Sequence, residues 1–122
     1  MNKNESLARD IYHWCKKNNL WGDNTIYFNG KAWSSGMTWG DECGKQIDED
    51  LYEYDNKNPK DYFEYAHPAT LSMSFEGRLY SVLNGYTRGC VKLEDELRQL
   101  FEKYGYYFEY GHSWNLSAYK IP

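Results

Sequence analysis

A change of period at Gly105 constrains this chain more than any other feature. Before it, Leu93, Leu97, Leu100, Phe101 and Tyr104 recur at i, i+4, i+7, i+8 and i+11, an apolar stripe along one face of a helix. After it, Tyr106, Phe108 and Tyr110 alternate along one segment and Trp114, Leu116 and Ala118 along the next, the period of half-buried strands. Glu94, Asp95 and Glu96 suit the positive end of a helix dipole, Lys103 suits the negative end, and Gly105 is a stop. The pattern predicts a helix over about 92–104, with a start two residues earlier also compatible, followed by an antiparallel hairpin. A three-residue loop, Gly111-His112-Ser113, pairs Tyr110 with Trp114, Phe108 with Leu116 and Tyr106 with Ala118.

Upstream of that helix, Leu71, Met73 and Phe75 alternate with Thr70, Ser72 and Ser74, which predicts a strand. Glu76-Gly77 reads as a turn into a second strand over Arg78–Asn84, opposing Leu71 with Val82 and Met73 with Tyr80. Leu79 and Leu83 then fall on the other face, so that strand is either covered on both sides or one residue out of register.

The strongest turn signal is Asn29-Gly30, set between Thr25-Ile26-Tyr27-Phe28 and Lys31-Ala32-Trp33-Ser34. A two-residue loop of this composition predicts a type I′ hairpin pairing Ile26 with Trp33 and Phe28 with Lys31. Leu7, Ile11, Trp14 and Cys15 predict a helix over 5–17 with Asn4 as its N-cap. Ile47, Leu51 and Tyr54 sit at i, i+4 and i+7 and predict a short helix over 45–55. Asn58-Pro59 then opens a short turn through Tyr65. The expected fold is α+β in a single globular domain over residues 1–122. It has an antiparallel sheet of about six strands in three hairpins, packed by two amphipathic helices, with a short acidic helical region between the first two hairpins.

Aromatic residues make up 19% of the chain, with 13 Tyr and 5 Trp. A core poor in Ile and Val accounts for most of them, since tyrosine buries a ring while leaving a polar tip. The Trp- and Gly-rich stretch over 35–44 reads as a loop, either a functional one or a tryptophan-anchored cover over the core. No segment has the ~18 consecutive apolar residues of a membrane span, and the N-terminus lacks the apolar run of a signal peptide. Cys15, Cys43 and Cys90 are odd in number and widely spaced, which fits reduced thiols. These features predict a cytoplasmic protein.

Net charge is −4, unevenly distributed. Between Asp41 and Glu64, nine acids face three bases, a local −6, whereas the remaining nine acids and eleven bases give +2. On a helix over 45–55 with Ile47, Leu51 and Tyr54 inward, Asp48, Glu49, Asp50, Glu53 and Asp55 are mostly outward, with Tyr52 among them. Asp61 and Glu64 extend the acidic run. Two readings fit: a solvated face that keeps the protein soluble, or a face that meets a partner protein's basic surface. The sharpest form of the second is an inhibitor that mimics a nucleic-acid backbone, of the antirestriction or anti-CRISPR kind, a likeness of size and charge alone. Direct nucleic-acid binding is disfavoured, because no Lys/Arg cluster exceeds Lys16-Lys17.

Motifs for chemistry are weak. His13, His67 and His112 lack the paired spacing of a metal site, so no metal or other cofactor is assigned. Cys43 lies beside Asp41 and Glu42, which oppose thiolate formation. Glu76 and Glu109 lie in or near hairpin ends without a partner group, and on the register above Glu109 faces away from the core. No phosphate loop, nucleophile elbow or dinucleotide fingerprint occurs, and no catalytic residue is assigned. The alternative to an interaction protein is a small-ligand binder or enzyme using an aromatic cleft near Trp33, Trp39 and Trp114.

Overall fold

The computed structural model describes residues 2–122. Helix α1 (Lys3–Lys17) is followed by strands β1 (Asn24–Phe28) and β2 (Lys31–Ser34) and by a small hairpin of β3 (Thr38–Trp39) and β4 (Glu42–Cys43). A further hairpin, β5 (Lys45–Asp48) and β6 (Leu51–Asp55), leads through a 3-10 turn at Pro59–Asp61 to β7 (Leu71–Phe75). Helices α2 (Arg78–Leu83) and α3 (Cys90–Lys103) precede the final hairpin, β8 (Tyr106–Tyr110) and β9 (Asn115–Lys120). Seven strands form one antiparallel sheet in the order β5-β6-β2-β1-β7-β9-β8, and β3 and β4 pair separately. The fold is α+β.

Period two sorts the sheet residues onto two faces. Ile26, Phe28, Trp33, Leu51, Leu71, Met73, Phe75, Phe108 and Leu116 point to one side and pack with Leu7, Ile11, Cys15, Leu97 and Phe101 of the helices. Tyr27, Ala32, Ser72, Ser74 and Ser117 point to the other side, where Phe63 and Ala66 cover them. β6 and β7 are separated by β2 and β1 in the sheet, so the connection between them crosses this second face. We call residues 56–70 the cover.

Several elements follow the sequence closely. Asn29 (φ +52°) and Gly30 (φ +75°) are both left-handed, as a type I′ turn requires, and Ile26 pairs with Trp33 and Phe28 with Lys31. Asn58 caps the 3-10 turn through its side chain, which accepts the Lys60 N–H. α3 starts at Cys90, the earlier of the two compatible positions. The N-cap of α1 is Asn2 rather than Asn4, with its side chain accepting the Glu5 N–H at 2.9 Å.

Residues 45–55 are a hairpin, not a helix. Leu51 and Tyr54 are both buried but on opposite faces of the sheet, so their helical spacing is coincidental. Asp50 turns the chain at φ +56°, a conformation Asp tolerates, and Asp48 Oδ1 accepts the Glu49 N–H. Residues 78–83 are a helix, not the second strand of a hairpin. Leu79, Val82 and Leu83 are buried at i, i+3 and i+4, so the pattern that looked two-faced on a strand is one face of a helix. Gly77 permits the break, because a Cβ there would lie 2.5 Å from the Gly22 carbonyl oxygen. β7 therefore pairs with β1 and β9 instead.

The final hairpin is shifted by two residues from the expected register. Tyr110 opposes Leu116, Phe108 opposes Ala118 and Tyr106 opposes Lys120, so Phe108, Leu116 and Ala118 stay inward, while the loop is longer and Trp114 leaves the inward set for the second face. Asn115 closes that loop: its carbonyl accepts the Gly111 N–H and its Oδ1 accepts the His112 N–H. No helix is long and apolar enough to cross a membrane among the described residues.

Candidate functional site

The carboxylates of the acidic segment are distributed over several parts of the fold. Asp48, Glu49 and Asp50 are exposed at the β5–β6 turn, where Lys16 Nζ lies 3.6 Å from Glu49 and 3.3 Å from Asp50. That turn docks on the end of α1 through its backbone, because the Glu49 carbonyl accepts Tyr12 Oη–H and the Asp50 carbonyl accepts Trp21 Nε1–H. Asp55 is at the far end of β6, about 13 Å along the strand. Glu53 points to the helix side, accepting from Trp33 Nε1 at 3.0 Å with Lys31 Nζ at 3.3 Å. Burial would raise its pKa, but the hydrogen bonds from Trp33 and Lys31 outweigh that and hold it below the ordinary glutamate value. Tyr52 is half-buried on the second face, opposite Ser34.

Asp61 and Glu64 are exposed on the cover, beside exposed Tyr62 and Tyr65, while Phe63 turns inward. The alternation has a physical cause in the sheet beneath. Ser117 Oγ donates to the Tyr65 carbonyl at 2.9 Å, Ser72 Oγ accepts the His67 N–H at 2.9 Å, and Thr70 Oγ1 donates to the Ala118 carbonyl at 2.6 Å. The serines of β7 and β9 thus satisfy backbone groups of an irregular segment that would otherwise be buried unpaired. Lys57 pins the start of the cover, with its Nζ 2.6 Å from Glu42 and 4.8 Å from the Trp39 ring centroid.

Strand β8 continues this surface. Glu109 opposes Ser117 and faces the cover side, and Tyr107 opposes Tyr119 with ring centroids 5.8 Å apart. Tyr65, Glu109, Tyr110 and Tyr119 line one shallow hollow of about 240 Å³. Glu109 was readable as facing away from the core, whereas its approach to Tyr65 depends on a contact between distant parts of the chain. The outcome is a surface carrying Asp61, Glu64 and Glu109 with Tyr62, Tyr65 and Tyr107 among them.

The three tryptophans divide between the two faces. Trp33 is on the helix side, 1% exposed, with the Arg9 guanidinium 5.1 Å from its ring centroid. Trp39 and Trp114 pack on the second face, Trp39 against Tyr27, Tyr54 and Tyr62, and Trp114 against Phe63 and His112. Trp39 also borders a cleft of about 440 Å³ with Asp23, Thr25, Ser34, Ser74 and Glu76.

Cys43 is exposed, and Cys15 is buried beside Asn24 with its thiol pKa pushed well above the ordinary value by burial. No three His, Cys, Asp or Glu side chains converge in a metal-holding group among the described residues. Fold and surface define a small α+β protein with one helix-covered face and one loop-covered face. No family model, curated protein or solved structure matches the chain.

Proposed function

We propose that this is a cytoplasmic, non-enzymatic interaction protein that binds the basic surface of a partner protein through the acidic, tyrosine-bearing face of its cover. The observation that carries this reading is the exposure of Asp61, Glu64 and Glu109 alongside Tyr62 and Tyr65. None of these three carboxylates has a cationic partner among the described residues. Unpaired carboxylates steer a positively charged surface toward the molecule, and tyrosines supply contact area with little loss of side-chain freedom. The β5–β6 turn, with Asp48, Glu49 and Asp50, is a second and partly neutralised acidic area. A partner that handles nucleic acid presents the required basic surface, and on this reading the protein inhibits it by occupying that surface.

The test compares the native chain with the triple variant Asp61→Asn/Glu64→Gln/Glu109→Gln in pull-downs at low and high salt. The native chain should retain a partner at low salt and release it at high salt, and the variant should retain little. Equal retention by both, or retention indifferent to salt, rejects the reading.

A second reading rests on the cleft beside Trp39. An indole wall facing the hydroxyls of Thr25, Ser34 and Ser74 and the carboxylates of Asp23 and Glu76 suits a small neutral polyol. Titration with monosaccharides, followed by tryptophan fluorescence, tests it; an unchanged spectrum at millimolar sugar rejects it.

A further inference from the structure

We propose that a second hollow, between the end of α1, α2 and the start of α3, binds a small organic anion: a phosphate monoester with a short apolar body. The hollow has a volume of about 280 Å³, near the lower end of the roughly 300–1,000 Å³ typical of ligand pockets. Its wall divides by chemistry. Leu20 and Val82, each 4% exposed, and the half-buried Leu93 supply an apolar floor. Arg78 and Arg88 stand at it together with the neutral polar side chains Asn18, Ser81 and Thr87, and no carboxylate lines it.

Both arginines are exposed, and neither forms an ion pair among the described residues. In a chain of net charge −4, two unpaired guanidinia at one hollow free of acids are a local reversal of sign. A guanidinium presents a planar fork of donors that matches phosphate oxygens in pairs. Two of them match the charge of about −1.5 to −2 on a phosphate monoester better than the single charge of a carboxylate. Ser81 and Thr87 add hydroxyl donors, and the apolar floor accepts the body of the ligand.

Local structure explains how the two arginines come together. Arg78 opens α2, and the connection after α2 folds back on it, with the Tyr86 N–H donating to the Ser81 carbonyl at 2.8 Å. Gly85 (φ +78°) supplies a left-handed turn before Arg88, and Gly89 (φ +73°) a second one directly after it into α3, which places Arg88 at the same hollow. This site is separate from the acidic cover, so its failure and the failure of the proposed function are independent.

Calorimetric titration of the full chain with phenyl phosphate, inorganic phosphate and phenol tests the proposal. Phenyl phosphate should bind more tightly than either fragment. Arg78→Gln and Arg88→Gln, exposed changes whose folding is checked by circular dichroism, should each weaken it about tenfold. Absence of saturable binding by phenyl phosphate overturns the proposal. So does binding no tighter than that of inorganic phosphate or phenol, or an affinity unchanged in both variants.

Discussion

The hydroxyls of Ser72 and Ser117 lie 2.8 Å apart across β7 and β9, and their donor roles are fixed by what surrounds them. Ser117 gives its one proton to the Tyr65 carbonyl, so Ser72, which accepts the His67 N–H, must be the donor between the two. A two-hydroxyl relay therefore ties both ends of a turn in the cover to the sheet.

Ser117→Ala should destabilise the protein by about 1–3 kcal/mol, because the Tyr65 carbonyl and the Ser72 hydroxyl both lose a partner. Urea unfolding of the two single alanine variants and the double variant measures the coupling. The double variant should cost less than the sum of the singles, and strict additivity would show that the hydroxyls act separately. Limited proteolysis should cut the cover of the variants sooner than that of the native chain.

Leu97 is fully buried at the centre of the α3 stripe. Leu97→Ala should cost about 2–5 kcal/mol in chemical denaturation, through lost burial and the cavity left behind. A loss below about 1 kcal/mol would mean that the helix stripe does not carry the core.

Gly77 and Gly22 make a contrasting pair. A Cβ at Gly77 would lie 2.5 Å from the backbone oxygen of Gly22, whereas one at Gly22 meets nothing within 4 Å. Gly77→Ala should lower stability by about 1–3 kcal/mol, while Gly22→Ala should stay within about 0.5 kcal/mol of the native chain. Equal melting temperatures for the two variants would dismiss the close approach as the reason for glycine at 77.

The Glu53 carboxylate gives the acid limb of stability a specific source. Its folded pKa is lower than its unfolded one, so its contribution is present above the ordinary glutamate range and is lost as pH falls through the folded value. Asp10 behaves alike, burial being outweighed by its hydrogen bonds from Tyr104 and Lys103. Melting temperature should therefore fall with acidification more steeply in the native chain than in Glu53→Gln. Parallel slopes would place the acid sensitivity elsewhere.

The fold is most legible in the sequence where one or two residues dictate the backbone. Asn29-Gly30 sets two adjacent left-handed conformations, which fixed both the first hairpin and its register. The α3 stripe runs over three turns, long enough for its period to be unambiguous. Arg78–Leu83 is too short to show a period against a strand alternative, and on β7 Ser72 of the polar side is as buried as the apolar residues. At 45–55, burial on both sheet faces imitated helical spacing. The grouping of Glu109 with Tyr65 and of Arg78 with Arg88 follows from crossings of the chain that no local pattern encodes.

The cover holds no strand of the main sheet and reaches β7 and β9 largely through side-chain hydroxyls of the sheet and the inward Phe63 and Ala66. Its outward positions Lys60, Asp61, Tyr62, Glu64 and Tyr65 are consequently uncoupled from the helix-side core. Substitutions at Lys60, Asp61 and Glu64 change what the molecule presents without removing packed side chains, whereas Tyr62 packs on Tyr27 and Trp39 and Tyr65 on His112. On the function proposed above, the contact face can therefore be revised at Lys60, Asp61 and Glu64 while the framework beneath stays the same.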